Sequence, residues 1–543
     1  MTKKEKKFKF KKNSNIGSPD AETDDILFDV FVDIDNLEEI IDTKSQKSIL
    51  IGRTGTGKSA IIKYVKKNCQ KVTEIAPEAM SLRFLSNSTI LQYFKKLDVN
   101  LNLFYKVLWK HVFMVELLKL YFSDTEEKIK KRTFLQSLLG NNKIDPKKER
   151  AVKYMEEWTD DFWENTEYRV KSFEKSIREN FASSIGISIE ALNAQLTEGL
   201  QEDRKITVEA KQKAESIIHS SQAIEILDIF QIMKNDLFAT HQKKFFIVID
   251  DLDKEWIEDS LRYELIGAMI ETIKEFRQLQ GVKIIISIRE NLNEIVFSGL
   301  KNKGGQREKF KPLFSEMIWT KGELLDFADN RLKLLSDDKL DVKSAFFNSR
   351  RGNKNGFDFV LERTYYRPRD VLSYINHAIE NSKDKYAFSK DILAKAEPTY
   401  SLDRFQAIED EWSENYGEIT EICEFLRGSN NGFKLKSLNE DDFANIYLDD
   451  NPELKFSGNL LHAIISWKSN EIHFNSFLKK ILFILFRIGI LGIKKGTTYK
   501  LAFYYDRDII IGRNDVSTNS RFYVHPSLYS YFKINVLDQL PEE

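Results

Sequence analysis

The sequence predicts an α/β fold built around a parallel sheet, and three observations point to it. A short apolar run, Lys47-Ser48-Ile49-Leu50-Ile51, meets a glycine-rich turn and then a helical stretch, Ala60-Ile61-Ile62-Lys63-Tyr64-Val65. Two further apolar runs, Phe245 to Ile249 and Val282 to Ile288, flank a helical stretch from Asp259 to Leu279. Runs that are apolar throughout, rather than alternating, suit parallel strands covered on both faces. At 543 residues, 42% of them hydrophobic and 12% aromatic, the chain is too long for one core, and about two to four domains are expected.

Taken in order, residues 1–25 open with seven lysines in the first twelve residues, Lys3 to Lys12. A solvated, disordered basic tail is expected there, with a nucleic-acid-binding arm as the alternative. The apolar stretch and small-residue cleavage site of a secretion signal are missing. Residues 26–90 carry the first part of the sheet domain. From 91 to 240 the apolar positions recur at helical spacing, through Leu101 to Phe122, Lys147 to Trp158, Tyr168 to Phe181, a polar run from Ile187 to His219, and Ala223 to Leu237. This reads as a large helical insertion. The sheet domain resumes over 241–318. Residues 319–395, with Asn330-Arg331-Leu332 and Asp370 to Asn381, read as a helical lid. Residues 396–543 end in a helix, Phe474 to Phe486, then Ile488 to Ile493, a strand pair around Tyr499 to Tyr505, and Arg521 to Pro526. A helix followed by a two-stranded wing suggests a winged-helix-like domain.

The 83 Lys and Arg residues balance 84 Asp and Glu, for a formal charge of −1, so no global bias toward nucleic acid or an anionic membrane exists. The runs Phe477 to Ile493 and Leu101 to Phe122 are interrupted by charges and fall short of a bilayer span. Cys69 and Cys423 stand alone, which fits a reducing, cytoplasmic home. The seven histidines, His111, His219, His241, His377, His462, His473 and His525, show no metal-ligand spacing.

The chemistry is expected at the glycine-rich turn, Gly52-Arg53-Thr54-Gly55-Thr56-Gly57-Lys58-Ser59, followed by Ala60. Phosphates suit a turn whose backbone N–H groups point inward at the positive end of a helix. Gly52, Gly55 and Gly57 let the backbone approach, Lys58 can reach the outer phosphates, and Ser59 can place its hydroxyl on Mg²⁺. The strand Phe245 to Ile249 delivers Asp250-Asp251-Leu252-Asp253 at its end. Asp250 is expected beside the metal. Asp251 is expected to orient or deprotonate the attacking water, with Glu255 as the alternative. Ser287 and Arg289 end the third strand and are placed to sense a terminal phosphate, and Arg367-Pro368-Arg369 opens the helix of the lid.

The order of a Walker A turn, a strand ending Asp-Asp-Leu-Asp, a strand ending in arginine, Glu308-Lys309-Phe310 and Arg-Pro-Arg resembles the AAA+ superfamily. The resemblance is nearest its KAP, STAND and origin-recognition branches and the related prokaryotic P-loop ATPases of defence loci and prophages. It covers roughly residues 26 to 381 apart from the insertion. It implies ATP and Mg²⁺ as cofactors, Asp250 and Asp251 as the Walker B pair, Arg289 as a sensor and Arg369 as the lid sensor arginine. A second Walker B acid that is aspartate rather than glutamate, and an insertion without counterpart, depart from the pattern and favour a switch over a processive motor. The expected function is an ATP-hydrolysing switch controlling assembly or the binding of a protein effector, in bacterial defence or a mobile element. The alternative is a DNA-associated ATPase of initiator or repair type, using the C-terminal region for nucleic acid. No membrane partner is expected.

Overall fold

The computed structural model describes residues 8–34, 37–77, 99–123, 146–157, 175, 178–192, 224–239, 243–254, 256–257, 259–302, 307–348, 355–496, 498–506, 509, 511–517 and 519–537. The chain forms two compact units. One comprises Asp35–Gly52 and Lys58–Met317; the other comprises Met1–Ile34, Arg53–Gly57 and Ile318–Glu543.

The first unit is built on five parallel strands, β1 (Ile49–Gly52), β2 (Lys71–Glu74), β3 (Phe245–Ile249), β4 (Val282–Arg289) and β5 (Phe314–Glu316), in the order β2-β3-β4-β1-β5. An α/β fold on a parallel sheet is therefore what the chain adopts. β1 and β3 are buried along their whole length and β4 up to Arg289, as continuous apolar runs require. β2 and β5 escape a reading by apolar runs, because one is Lys-Val-Thr-Glu and the other only three residues long.

Helix α1 (Lys58–Asn68) follows the turn after β1. Helix α2 (Asn102–Phe122) comes from the stretch read as a helical insertion. It packs on helix α3 (Asp259–Phe276): Trp109 Nε1 donates to the Leu265 carbonyl at 2.8 Å, and the Phe113 and Phe276 rings meet edge to face at 5.4 Å. Toward the sheet, Thr73 Oγ1 of β2 donates to Glu116 at 3.0 Å. Nearly every face of α2 is buried, from Phe104 to Phe122, the pattern of a core helix rather than a surface one. Each fully buried Leu or Phe there contributes about 1.5–3 kcal/mol. Of the remaining expected insertion, helices Pro146–Glu157 and Ile224–Ile232 are described, while residues 158, 168–174, 176–177, 193–219 and 223 of the expected stretches lie outside the described residues. Helix α4 (Glu290–Asn302) leaves β4.

In the second unit, residues 8–25 correct the expectation of a disordered tail. Phe10 is fully buried, stacks on Phe388 at 4.7 Å, and exchanges backbone hydrogen bonds with Asp384 and Lys385. Ile16 is buried too, and Arg331 donates to the Ile16 carbonyl and to Asp24. The lysines alternate with Phe8 and Phe10, and those rings find an apolar core that charge counting does not reveal. That core is made by helices α5 (Lys321–Ser336), α6 (Pro368–Glu380) and α7 (Lys390–Tyr416). A capping box at Thr320 and Glu323 starts α5, and Pro368 starts α6. α7 runs through the expected domain boundary at 395/396. Pro398 sits inside the helix, which tertiary bonds from Tyr374 to Leu393 and from Tyr400 to Arg363 hold across it.

The C-terminal part follows with β6 (Gly432–Lys434), α8 (Gly458–Lys468), α9 (Phe474–Arg487), β7 (Leu491–Lys494) and β8 (Arg521–Val524). The strands form an antiparallel sheet in the order β6-β8-β7. The strand pair expected around Tyr499 to Tyr505 is not there: Ala502 makes an isolated bridge to Ile493, and β6 supplies the third strand instead. The residues behind that expectation, Leu501-Ala502-Phe503-Tyr504-Tyr505, are apolar because Phe503 and Tyr505 pack on His525.

Candidate functional site

The carboxyl ends of β1, β4 and β3 lie side by side, with Gly52 in register with Arg289 and Ile249 with Ile286. From β1 the chain runs on to β2, on one side, and from β4 to β5, on the other. Neighbouring strands whose connections part in this way form a topological switch point, the place where open parallel sheets bind ligands. Several residues singled out from the sequence gather here.

Asp250 follows β3 and accepts two hydrogen bonds on Oδ1, one from Ser287 Oγ of β4 and one from the Asp251 N–H at 3.0 Å. Asp251 adopts φ +58°, a left-handed conformation that Asp tolerates better than most residues but that still costs about 1–3 kcal/mol. Its carboxylate pairs with Lys254 at 2.9 Å. Burial pushes the Asp251 carboxyl above its usual range; Lys254 opposes that, while Asp250 and Asp253 reinforce it. Arg289 reaches Asp253 at 2.7 Å, so its guanidinium is engaged by the acidic turn. Glu255 lies outside the described residues. Lys58, at the start of α1, is buried and donates to the Gly52 carbonyl at 2.8 Å; Ser59 and Ala60 behind it are half-buried.

The tip of the glycine-rich turn, Arg53 to Gly57, belongs to the second unit. Gly55 and Gly57 have φ of +83° and +94°, which a side chain would strain, and a Cβ on Gly55 would fall 2.6 Å from the Arg369 Cβ. Thr56 turns back on Arg53, its N–H and hydroxyl both donating to the Arg53 carbonyl, and Trp319 Nε1 donates to the Thr56 carbonyl at 2.9 Å. Arg369 gives its N–H to the Gly55 carbonyl at 3.3 Å. Its guanidinium lies on the Pro19 carbonyl at 3.1 Å and near Asp20 at 3.9 Å.

Arg53 and Thr54, read from the sequence only as members of the turn, enter a buried charge cluster that the sequence does not announce. Glu411 of α7 accepts from Arg53 Nη2 at 3.1 Å and from the Thr54 N–H at 3.0 Å. Arg53 Nη2 also donates to the Ile488 carbonyl at 2.9 Å. Arg367 donates to the Thr54 carbonyl at 2.8 Å and to Asp370 at 3.1 Å, and Arg404 bonds the other oxygen of Asp370. Burial alone would raise the Glu411 carboxyl; Arg53 and Arg367, with the Thr54 N–H, override it and bring it down to about 2. Tyr365 stacks on a buried His525 at 4.2 Å, and burial holds His525 well below its usual range. Only spacing of 350 residues and more connects Arg53 to Glu411 and Ile488, so no local motif could have signalled it.

Residues 322–409, from α5 into α7, match the family described as the FunZ-associated C-terminal helical domain. Over 337 residues the chain is 23% identical to a protein of Escherichia coli (strain K12) named "Putative transposon gamma-delta 80.3 kDa protein". That likeness covers 58% of this chain and 44% of the relative, so the chain spans less than half the length of the relative it matches. Among the described residues, no helix is long and apolar enough to cross a membrane.

Proposed function

We propose that the chain is a P-loop ATPase of the AAA+ or STAND kind, binding and hydrolysing Mg·ATP through Gly52 to Ala60 and the acids after β3. One observation carries the reading: Asp250 is joined to Ser287 on β4, the strand between it and the glycine-rich turn's strand β1. An acid there stands at the same edge of the sheet as Gly52, the last residue of β1, as shared work on one phosphate chain requires.

The donor set fits Mg²⁺. A hydroxyl, Ser59, and a carboxylate, Asp250, leave the ion's remaining positions to phosphate oxygens and water, the usual arrangement for this cation. The bound ion would neutralise charge on the phosphates. Burial raises the Asp251 carboxyl, in the direction that a general base needs. Arg289 must release Asp253, and Arg369 must release Pro19 and Asp20, before either touches a phosphate. That exchange of partners suits a switch, since only a contact that differs between states shifts an equilibrium.

A second reading has one specific support. The relative's name refers to a transposon, which is a DNA element. In this reading the C-terminal region, with two helices leading into a three-stranded antiparallel sheet, is a winged-helix module on DNA. Helix α9 argues against its being a reader: Phe477, Leu478, Ile481, Leu482, Ile484, Leu485 and Phe486 are buried, and Lys479, Lys480 and Arg487 are its basic residues, few for phosphate contacts. A protein effector or a second copy is the partner we favour.

Calorimetric titration with ATP decides the first reading. The wild type should bind, and Lys58→Ala should bind about 10- to 100-fold more weakly, the worth of a charged hydrogen bond; equal affinities would sink the assignment. Steeply salt-dependent duplex binding that stimulates turnover would favour the DNA reading.

A further inference from the structure

The buried charge cluster is aimed at the backbone of the turn. Glu411 accepts the Thr54 N–H at 3.0 Å, and Arg367 donates to the carbonyl of the same residue at 2.8 Å. Both polar groups of one backbone residue are thus held by charged side chains from α7 and from the residue that caps α6. On one side of it, Arg53 is fixed by Glu411 and the Ile488 carbonyl. On the other, Gly55 is in the left-handed region with Arg369 against it. Three consecutive residues, 53 to 55, are therefore set from outside the turn.

Stability alone is a poor reason for such a cluster. Five charged groups, Arg53, Arg367, Asp370, Arg404 and Glu411, are each at most 6% exposed, and a buried ion pair commonly gains nothing over apolar residues of similar size. Preorganisation is a better reason. A phosphate-binding turn works through N–H groups that already point inward, and a turn that must be ordered on binding loses affinity.

We propose that Glu411 is a positioning residue for the phosphate-binding turn: by holding the Thr54 N–H and the Arg53 guanidinium, it fixes the turn before nucleotide arrives. The consequence for nucleotide rests on the ATPase reading above; the fixing of the turn rests on geometry alone. Glu411 touches no phosphate in this scheme.

The test uses the full chain as wild type, Glu411→Gln and Glu411→Asp. Aspartate keeps the countercharge for Arg53 and Arg367, which protects folding, but is one methylene too short to serve both partners. Hydrogen exchange of the peptide spanning 50–60 is measured without nucleotide, and ATP affinity, KM and kcat are measured with Mg·ATP. Exchange of the turn should rise several-fold in both variants. The dissociation constant and KM should rise about tenfold in Glu411→Gln, less in Glu411→Asp, with kcat within about threefold of wild type. Unchanged exchange in a folded Glu411→Asp would overturn the positioning role whatever the nucleotide does. Faster exchange with wild-type affinity would overturn its bearing on binding. A wild type that binds no ATP while the variants still loosen the turn would fail the ATPase reading and leave the fixing of the turn standing.

Discussion

Two clusters of charge distinguish the two units, and they are built for different purposes. At the carboxyl ends of β3 and β4, Asp251, Asp253, Lys254 and Arg289 are paired yet keep a fifth to nearly half of their side-chain surface in solvent. Around Glu411, the pairs of Arg53 and Arg367 are almost wholly enclosed. Exposed pairs are cheap to break and can be traded for a ligand. Enclosed pairs leave an uncompensated charge when broken, so they hold geometry and do not trade. The candidate chemistry lies with the first kind and the setting of the turn with the second.

The largest expected effect falls on the exposed cluster. Asp251→Asn should keep ATP binding but lose turnover by about 10² to 10⁴, because an amide holds position without accepting a proton. Burial raises the Asp251 carboxyl, so wild-type turnover should fall on acidification at a pH above the usual carboxylate range. A rate that barely changes in Asp251→Asn would move the base elsewhere, with Glu255 the next residue to test.

Stability should show the opposite ranking. Asp370 bonds Arg367, Arg404 and the Tyr365 N–H, and Asp370→Ala should cost about 3–5 kcal/mol in urea unfolding. Asp253→Ala removes only the partly exposed partner of Arg289 and should cost about 1 kcal/mol or less. Equal costs would erase the distinction between the clusters.

Acid should unfold the enclosed cluster in two steps. His525 is held neutral below its ordinary 6.5, so the unfolded chain takes up a proton first, and stability begins to fall as pH drops below 6.5. Glu411 titrates at about 2 when folded against 4.5 ordinarily. Its contribution is complete above 4.5 and is lost as pH falls from 4.5 through about 2. His525→Gln should flatten the first limb in denaturant titrations at graded pH and leave the second; an unchanged first limb would remove His525 from it.

Much of the sheet domain was legible because its signals are local. The turn from Gly52 to Ser59, the run Phe245 to Ile249 and the acids behind it are contiguous in sequence. What the sequence hid depends on distance or brevity. β2 and β5 are short, and their partners supply the parallel pairing. Phe10 looked like part of a charged tail because Phe388, which it stacks on, is far along the chain. Arg53 looked like any residue of the turn, since Glu411 gives no periodic or motif signal; helix α7 had to be seen whole, across Pro398, for the pair to appear.

The most direct test of the account is phosphate release from saturating Mg·ATP by the purified full chain, with Lys58→Ala beside it. The account predicts steady release by the wild type and background release by Lys58→Ala. No release from a folded wild type, or the same release from both proteins, would contradict it.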